Sequence, residues 1–168
     1  MPQQMDIGYL KIKIDIKAEH DELKKKFEYR RKELKKEEVK NIFEGFKNYF
    51  KADGNFKFKE NEHSVTAEYR EHGITLDMDI YKNIDSPGFD MEGFIRTYEN
   101  ETFDFEVEAV CSKEISMNPA GISGQEKLLH DTAYFKDFLE GVIHYKFKYR
   151  IKGREQEYFS IQELMQAL

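Results

Sequence analysis

A chain of 168 residues with 14 Phe, 10 Tyr and no Trp has the length and aromatic mass for one buried core, which excludes a disordered polymer even though 36% of it is charged. The single cysteine, Cys111, excludes an internal disulfide and any cysteine-rich metal site. The net charge is −6, no apolar run approaches a membrane span, and Met1-Pro2-Gln3-Gln4 is not a signal-peptide start, so a cytoplasmic protein is expected.

Residues 7–17, Ile-Gly-Tyr-Leu-Lys-Ile-Lys-Ile-Asp-Ile-Lys, alternate apolar with charged side chains. That spacing predicts a half-buried strand with Leu10, Ile12, Ile14 and Ile16 on its inner side. Residues 18–52 have helical spacing in two parts. Val39, Ile42, Phe43, Phe46, Tyr49 and Phe50 make a wide apolar face, whereas the first part offers only Leu23, Phe27 and Leu34. At about 100° per residue the two stripes lie roughly 120° apart. Either the chain breaks near residues 35–38 or the two halves face different surfaces. Asp53-Gly54 stops the helix.

An antiparallel meander is expected next. Phe56 and Phe58 open a short strand; Val65, Ala67 and Tyr69 face inward from the second; Ile74, Leu76, Met78 and Ile80 from the third. A turn is expected at residues 71–73 and a stronger one at Asp85-Ser86-Pro87-Gly88. Residues 91–98 form a strand of ambiguous facing, since Phe94 and Ile95 fall on opposite sides. Phe103, Phe105, Val107, Ala109 and Cys111 alternate inward from the next strand. Ser123 and Glu126 form a capping box that starts a helix running to about residue 143. Tyr145, Phe147, Tyr149 and Ile151 form a strand, residues 156–158 return from it, and a second capping box, Ser160 with Glu163, starts a last helix at 161–167, with Phe159 placed to staple against Leu164. The expected fold is α+β. An antiparallel sheet of roughly five to eight strands is covered on one face by the long N-terminal helix and the helix near 124–143, with a short C-terminal helix. Residues 1–168 make one domain, with 18–37 as a protruding helical arm.

Charge is polarised along the chain. Residues 11–59 carry 16 basic and 10 acidic side chains, and residues 60–111 carry 3 and 14. Alternation puts Glu68, Asp77, Asp79, Asp104, Glu106 and Glu108 on the outer face of the sheet, which makes that face a candidate for docking a basic or nucleic-acid-binding protein. Asp77-Met78-Asp79 could offer two oxygen ligands to a hard cation, a weakly specific pattern that carries no metal assignment. Leu23, Phe27 and Leu34 form a seam suited to a second copy of the chain, short of the heptad run of a coiled coil. Eight Lys and Arg between residues 24 and 36 suggest phosphate contacts, but the interleaved acids oppose direct nucleic-acid binding.

A ligand pocket is the alternative. Glu126 and His130 sit one helical turn apart, with Tyr134 and Arg96 as further candidates. No catalytic set is assigned, because the chain has no HExxH, no nucleophile elbow and no phosphate-loop pattern. Cys111 is expected to be an inert core thiol. The function expected is a non-enzymatic protein-binding factor (inhibitor, adaptor or immunity-type) with no cofactor. Small-ligand or nucleotide binding or hydrolysis is the second reading, and nucleic-acid binding the third.

Overall fold

The computed structural model describes residues 6–113 and 124–168. The expected Ser123 cap and the loop before it lie outside the described residues. The fold is α+β: a long N-terminal helix, a seven-stranded antiparallel sheet in the order β1 to β7, and shorter helices. In chain order the elements are α1 (Ile7–Lys51), β1 (Lys57–Glu60), β2 (Ser64–Tyr69), β3 (His72–Asp77), α2 (Ile80–Asp85), β4 (Met91–Arg96), β5 (Thr102–Cys111), α3 (Gly124–Leu139), β6 (Tyr145–Ile151), β7 (Glu157–Tyr158) and α4 (Ile161–Gln166). The chain divides into two compact units, Met1–Arg30 with Cys111–Tyr145, and Arg31–Val110 with Lys146–Leu168.

Residues 7–17 are helical, not a strand. Asp6 starts the helix: its carboxylate accepts from the amides of Gly8 at 2.9 Å and Tyr9 at 3.4 Å, and its carbonyl from Leu10. The alternation gave the wrong period, and no residue from 7 to 17 is buried: Leu10 and Ile16 are half-buried and the rest are exposed. Ile7, Tyr9, Ile12 and Ile14 are all more than half exposed, and an unburied pattern reports no face. Residues 18–51 continue as the same 45-residue helix without a break.

The second unit holds the larger core. Val39, Ile42, Phe46 and Phe50 of α1 and Ile161, Leu164 and Met165 of α4 pack with Val65, Leu76, Ile95, Phe105, Val107 and Ile151 of the sheet. Gly45 and Gly93 permit two close approaches. A Cβ on Gly45 would stand 2.7 Å from Ile161, and one on Gly93 would stand 2.6 Å from the Asp77 carbonyl and 2.7 Å from the Phe105 ring. The β2–β3 hairpin turns on Arg70 and Glu71, both with positive φ, so β3 begins at His72 and takes in Gly73.

Two further departures concern β3 and α4. The third strand ends at Asp77, and Ile80 opens α2 instead of extending it. Asp79 caps that helix, its carboxylate accepting from the Lys82 amide at 3.1 Å. At α4 the Ser160 cap forms, the Glu163 amide donating to Ser160 Oγ at 3.2 Å, while the Glu163 carboxylate accepts from the amide of Phe159, one residue before the cap, in place of the Ser160 amide of a strict capping box. The staple does not form, since Phe159 is 76% exposed.

The first unit has a small aromatic core. Phe27 of α1 stacks at 4.8–5.3 Å on Tyr134, Phe135 and Phe138 of α3. α3 ends at Leu139, short of the expected residue 143. The Gly141 amide bonds the Phe138 carbonyl and the Val142 amide bonds the Asp137 carbonyl, with Gly141 at φ +79°. These are the two bonds of a Schellman stop, for which glycine is the favoured residue.

Candidate functional site

Cross-strand register decides what the open sheet face carries. Phe94 stands opposite both Asp77 and Asp104, and Glu92 opposite Glu106. Glu68, Asp77, Asp104, Glu106 and Glu108 therefore share one face, and Glu92 joins them from a strand whose facing the sequence left ambiguous. Asp79 does not belong to this set, because it is spent as the cap of α2.

The face is not an anionic slab. Lys59 of β1 reaches Glu68 at 3.2 Å, Arg150 of β6 reaches Glu106 at 2.7 Å, and Lys148 lies 3.7 Å from Glu108 and 2.9 Å from Glu157. Lys82 of α2 reaches Glu92 at 3.0 Å, and this hydrogen bond holds the Glu92 carboxyl below its usual range. Glu92 and Glu106 are like charges directly opposite, a destabilising pair unless countered; Lys82 and Arg150 supply the counter-charge. Such exposed, solvent-screened pairs contribute little to stability, so their main consequence is a mixed-charge surface.

Between α2 and this face lie two adjoining clefts. One, of about 510 Å³, is lined by Lys82, Asn83, Glu92, Glu106, Glu108 and Arg150 among others; the second, of about 310 Å³, adds Asp77, Asp79, Asp104 and Lys152. Asn83 is 3% exposed. It donates to the carbonyls of Asp79 and Glu92 and accepts from the Glu92 amide, at 2.8–2.9 Å, which ties α2 to β4. Among the described residues no buried side-chain nitrogen or oxygen lacks a partner, and no group of three His, Cys, Asp or Glu is arranged to hold a metal.

The basic stretch of α1 is partly internal. Arg31 and Lys35 are 4% and 0% exposed. Arg31 Nη1 donates to the carbonyls of Ser86 at 2.6 Å and Gly88 at 2.9 Å, and Lys35 Nζ donates to the Ser86 carbonyl and hydroxyl at 3.1 Å. These two cations clamp the turn after α2 and are withdrawn from any phosphate. Within 18–37, the stretch expected as a protruding arm, Phe27, Arg31 and Lys35 are buried. Of the expected seam, Phe27 is 7% exposed inside the first unit's aromatic cluster, while Leu23 and Leu34 are half-buried.

The alternative pocket residues fall in different units. Glu126, His130 and Tyr134 lie on α3; Arg96 lies on β4 with its guanidinium over the Phe94 ring at 5.6 Å. Tyr134 shares a hydrogen bond with Tyr145 between their hydroxyls, and burial raises the pKa of both. Cys111 is half-buried and free. A histidine the sequence analysis did not single out, His20, is built into the first unit. It is 8% exposed, with Nδ1 3.1 Å from Asp21 and Nε2 3.6 Å from Asp131, and its ring lies against Phe135. Its spacing of seven residues from Phe27 was the available signal.

What sequence reasoning missed altogether is the N-terminal end of α1. Ile7 is 70% exposed, Ile12 56%, Ile14 55% and Tyr9 52%, and alternation had assigned the isoleucines at 12 and 14 to a buried strand face. No described helix is both long and apolar enough to cross a membrane. Comparison of the chain with protein-family models, with curated proteins and with solved structures finds no match to any of the three.

Proposed function

We propose that this chain is a non-enzymatic protein-binding factor whose contact surface is the first third of α1. One observation carries the reading: four large apolar side chains, Ile7, Tyr9, Ile12 and Ile14, stand in solvent along eight residues of helix. Scattered exposed apolar residues are ordinary, but four within two turns of one helix, Ile7 and Ile14 on one side and Tyr9 and Ile12 on the other, offer apolar area to a partner that wraps the helix. Burying one such side chain is worth about 1.5–3 kcal/mol, so a partner that covers them gains appreciable affinity. The ion pairs on the open sheet face move the reading away from a purely basic partner. Glu68, Glu106 and Glu108 already hold cations of the same chain, so that face contributes orientation and salt sensitivity at most.

The test is site-specific photocrosslinking. A crosslinker at position 12 or 14 captures a protein, and Ile12→Asp/Ile14→Asp abolishes the same capture when the crosslinker is moved to position 7. If no protein is captured from any of the three positions, the reading fails.

A further inference from the structure

His20 stands between two carboxylates that come from two helices. Its Nδ1 lies 3.1 Å from Asp21, its neighbour on α1, and its Nε2 lies 3.6 Å from Asp131 of α3. The ring is 8% exposed and rests on Phe135 at 5.6 Å. Phe135 in turn stacks on Phe27 at 4.8 Å, so the histidine borders the first unit's aromatic core.

A neutral imidazole has one N–H and one lone pair. If Nδ1 keeps the proton and donates to Asp21, the lone pair of Nε2 faces the Asp131 carboxylate, acceptor against acceptor. If Nε2 keeps it, the same opposition falls on Asp21. The imidazolium alone donates from both nitrogens. The hydrogen bond from His20 holds the Asp21 carboxyl below its usual range, helped by Lys17 and Lys24 on the same helix. A second tie joins the two helices, Lys136 to Glu19 at 2.6 Å, but an ammonium and a carboxylate ordinarily keep their charges through neutral pH. Of these groups only the histidine belongs to a residue type that changes charge there.

We propose that His20 is a proton-operated latch between α1 and α3. Protonated, it ties Asp21 to Asp131 and holds α3 on the aromatic core; deprotonated, it leaves a carboxylate facing a lone pair and lets α3 open. The tie is present at acid pH and lost as pH rises through about 5 to 8. The latch does not draw on the protein-binding reading, which crosslinking tests separately.

Hydrogen–deuterium exchange on the full chain, corrected for the intrinsic pH dependence of exchange, tests it. Protection of the α3 amides is expected to be roughly fivefold greater or more at the acid end of that range than at the alkaline end. His20→Gln and Asp131→Asn should each flatten this ratio. His130→Gln and His144→Gln, which change the other two histidines of the first unit, should leave it intact. If His20→Gln loosens the first unit at every pH, Asp131→Asn decides alone, since that side chain is 30% exposed and outside the aromatic cluster. A parent chain whose α3 protection does not change across the range, or rises with pH, overturns the proposal. So does a ratio that survives Asp131→Asn, or one that vanishes with His130→Gln or His144→Gln.

Discussion

Two buried charges on α1 decide how the second unit is held. A lysine ammonium out of water must be solvated by the protein. Lys35, at 0% exposure, is solvated by the carbonyl and hydroxyl of Ser86, with Arg31 on the same carbonyl. Its four-carbon stem also fills core volume. Lys35→Ala is expected to cost about 3 kcal/mol, as lost charged hydrogen bonds plus a cavity. Lys35→Met, which keeps the stem, is expected to cost less; urea denaturation of both checks the order. One turn on, Glu38 accepts a hydrogen bond from the hydroxyl of buried Tyr149. Burial raises its carboxyl above the usual 4.5, against a smaller lowering by Asn41. The folded state thus binds this proton more tightly than the unfolded one. The stability this contributes is present below 4.5 and is lost as pH climbs through the raised folded value. Glu38→Gln removes that dependence. Its stability curve against pH should be flatter than the parent's just above 4.5, with no loss at neutral pH; a parallel curve would show that the group does not titrate there.

At the scale of elements, legibility followed locality. Strands β2, β5 and β6 and the Ser160 cap were readable because alternation and capping are set by residues a few positions apart. The α1 stripe from Val39 to Phe50 was readable too, but its N-terminal continuation was not, because two of its buried positions are charged. In the second unit Arg31, Lys35, Val39, Ile42, Phe46 and Phe50 are buried at steps of four, four, three, four and four, a regular helical row. Read by hydropathy alone, the row begins at Val39, and Leu34 was joined to the wrong set. The first unit has its own short row, His20 and Phe27, again hidden by a polar residue. The open sheet face was half legible. Its carboxylates alternate visibly, but the cations that neutralise them sit on β1, α2 and β6, apart in sequence and united only by register. The end of α1 failed for the opposite reason, since its clean alternation describes no face that the folded chain buries. Strong local pattern in conflict with the structure adopted is a mark of a segment with a second use.

For the molecule as a whole, the division into two compact units predicts two stabilities. The first unit's core is narrow: Phe27 is the one α1 side chain seen stacking on all three aromatic rings of α3, Tyr134, Phe135 and Phe138. The second unit's core runs through seven strands and two helices. Cooperative opening need not be global, and a small core opens at lower free energy than a large one. Phe27→Ala removes a buried ring at a cost of about 3–5 kcal/mol, and the cost should be confined to the unit that contains it. Amides of α3 should then exchange with deuterium roughly a hundredfold faster or more, at tenfold per 1.4 kcal/mol, until exchange reaches the unprotected rate. Amides of β2, β3 and β4 should keep their protection. If α3 and those strands lost protection by equal factors, the two units would be opening as one, and α1 would be transmitting the loss along its length.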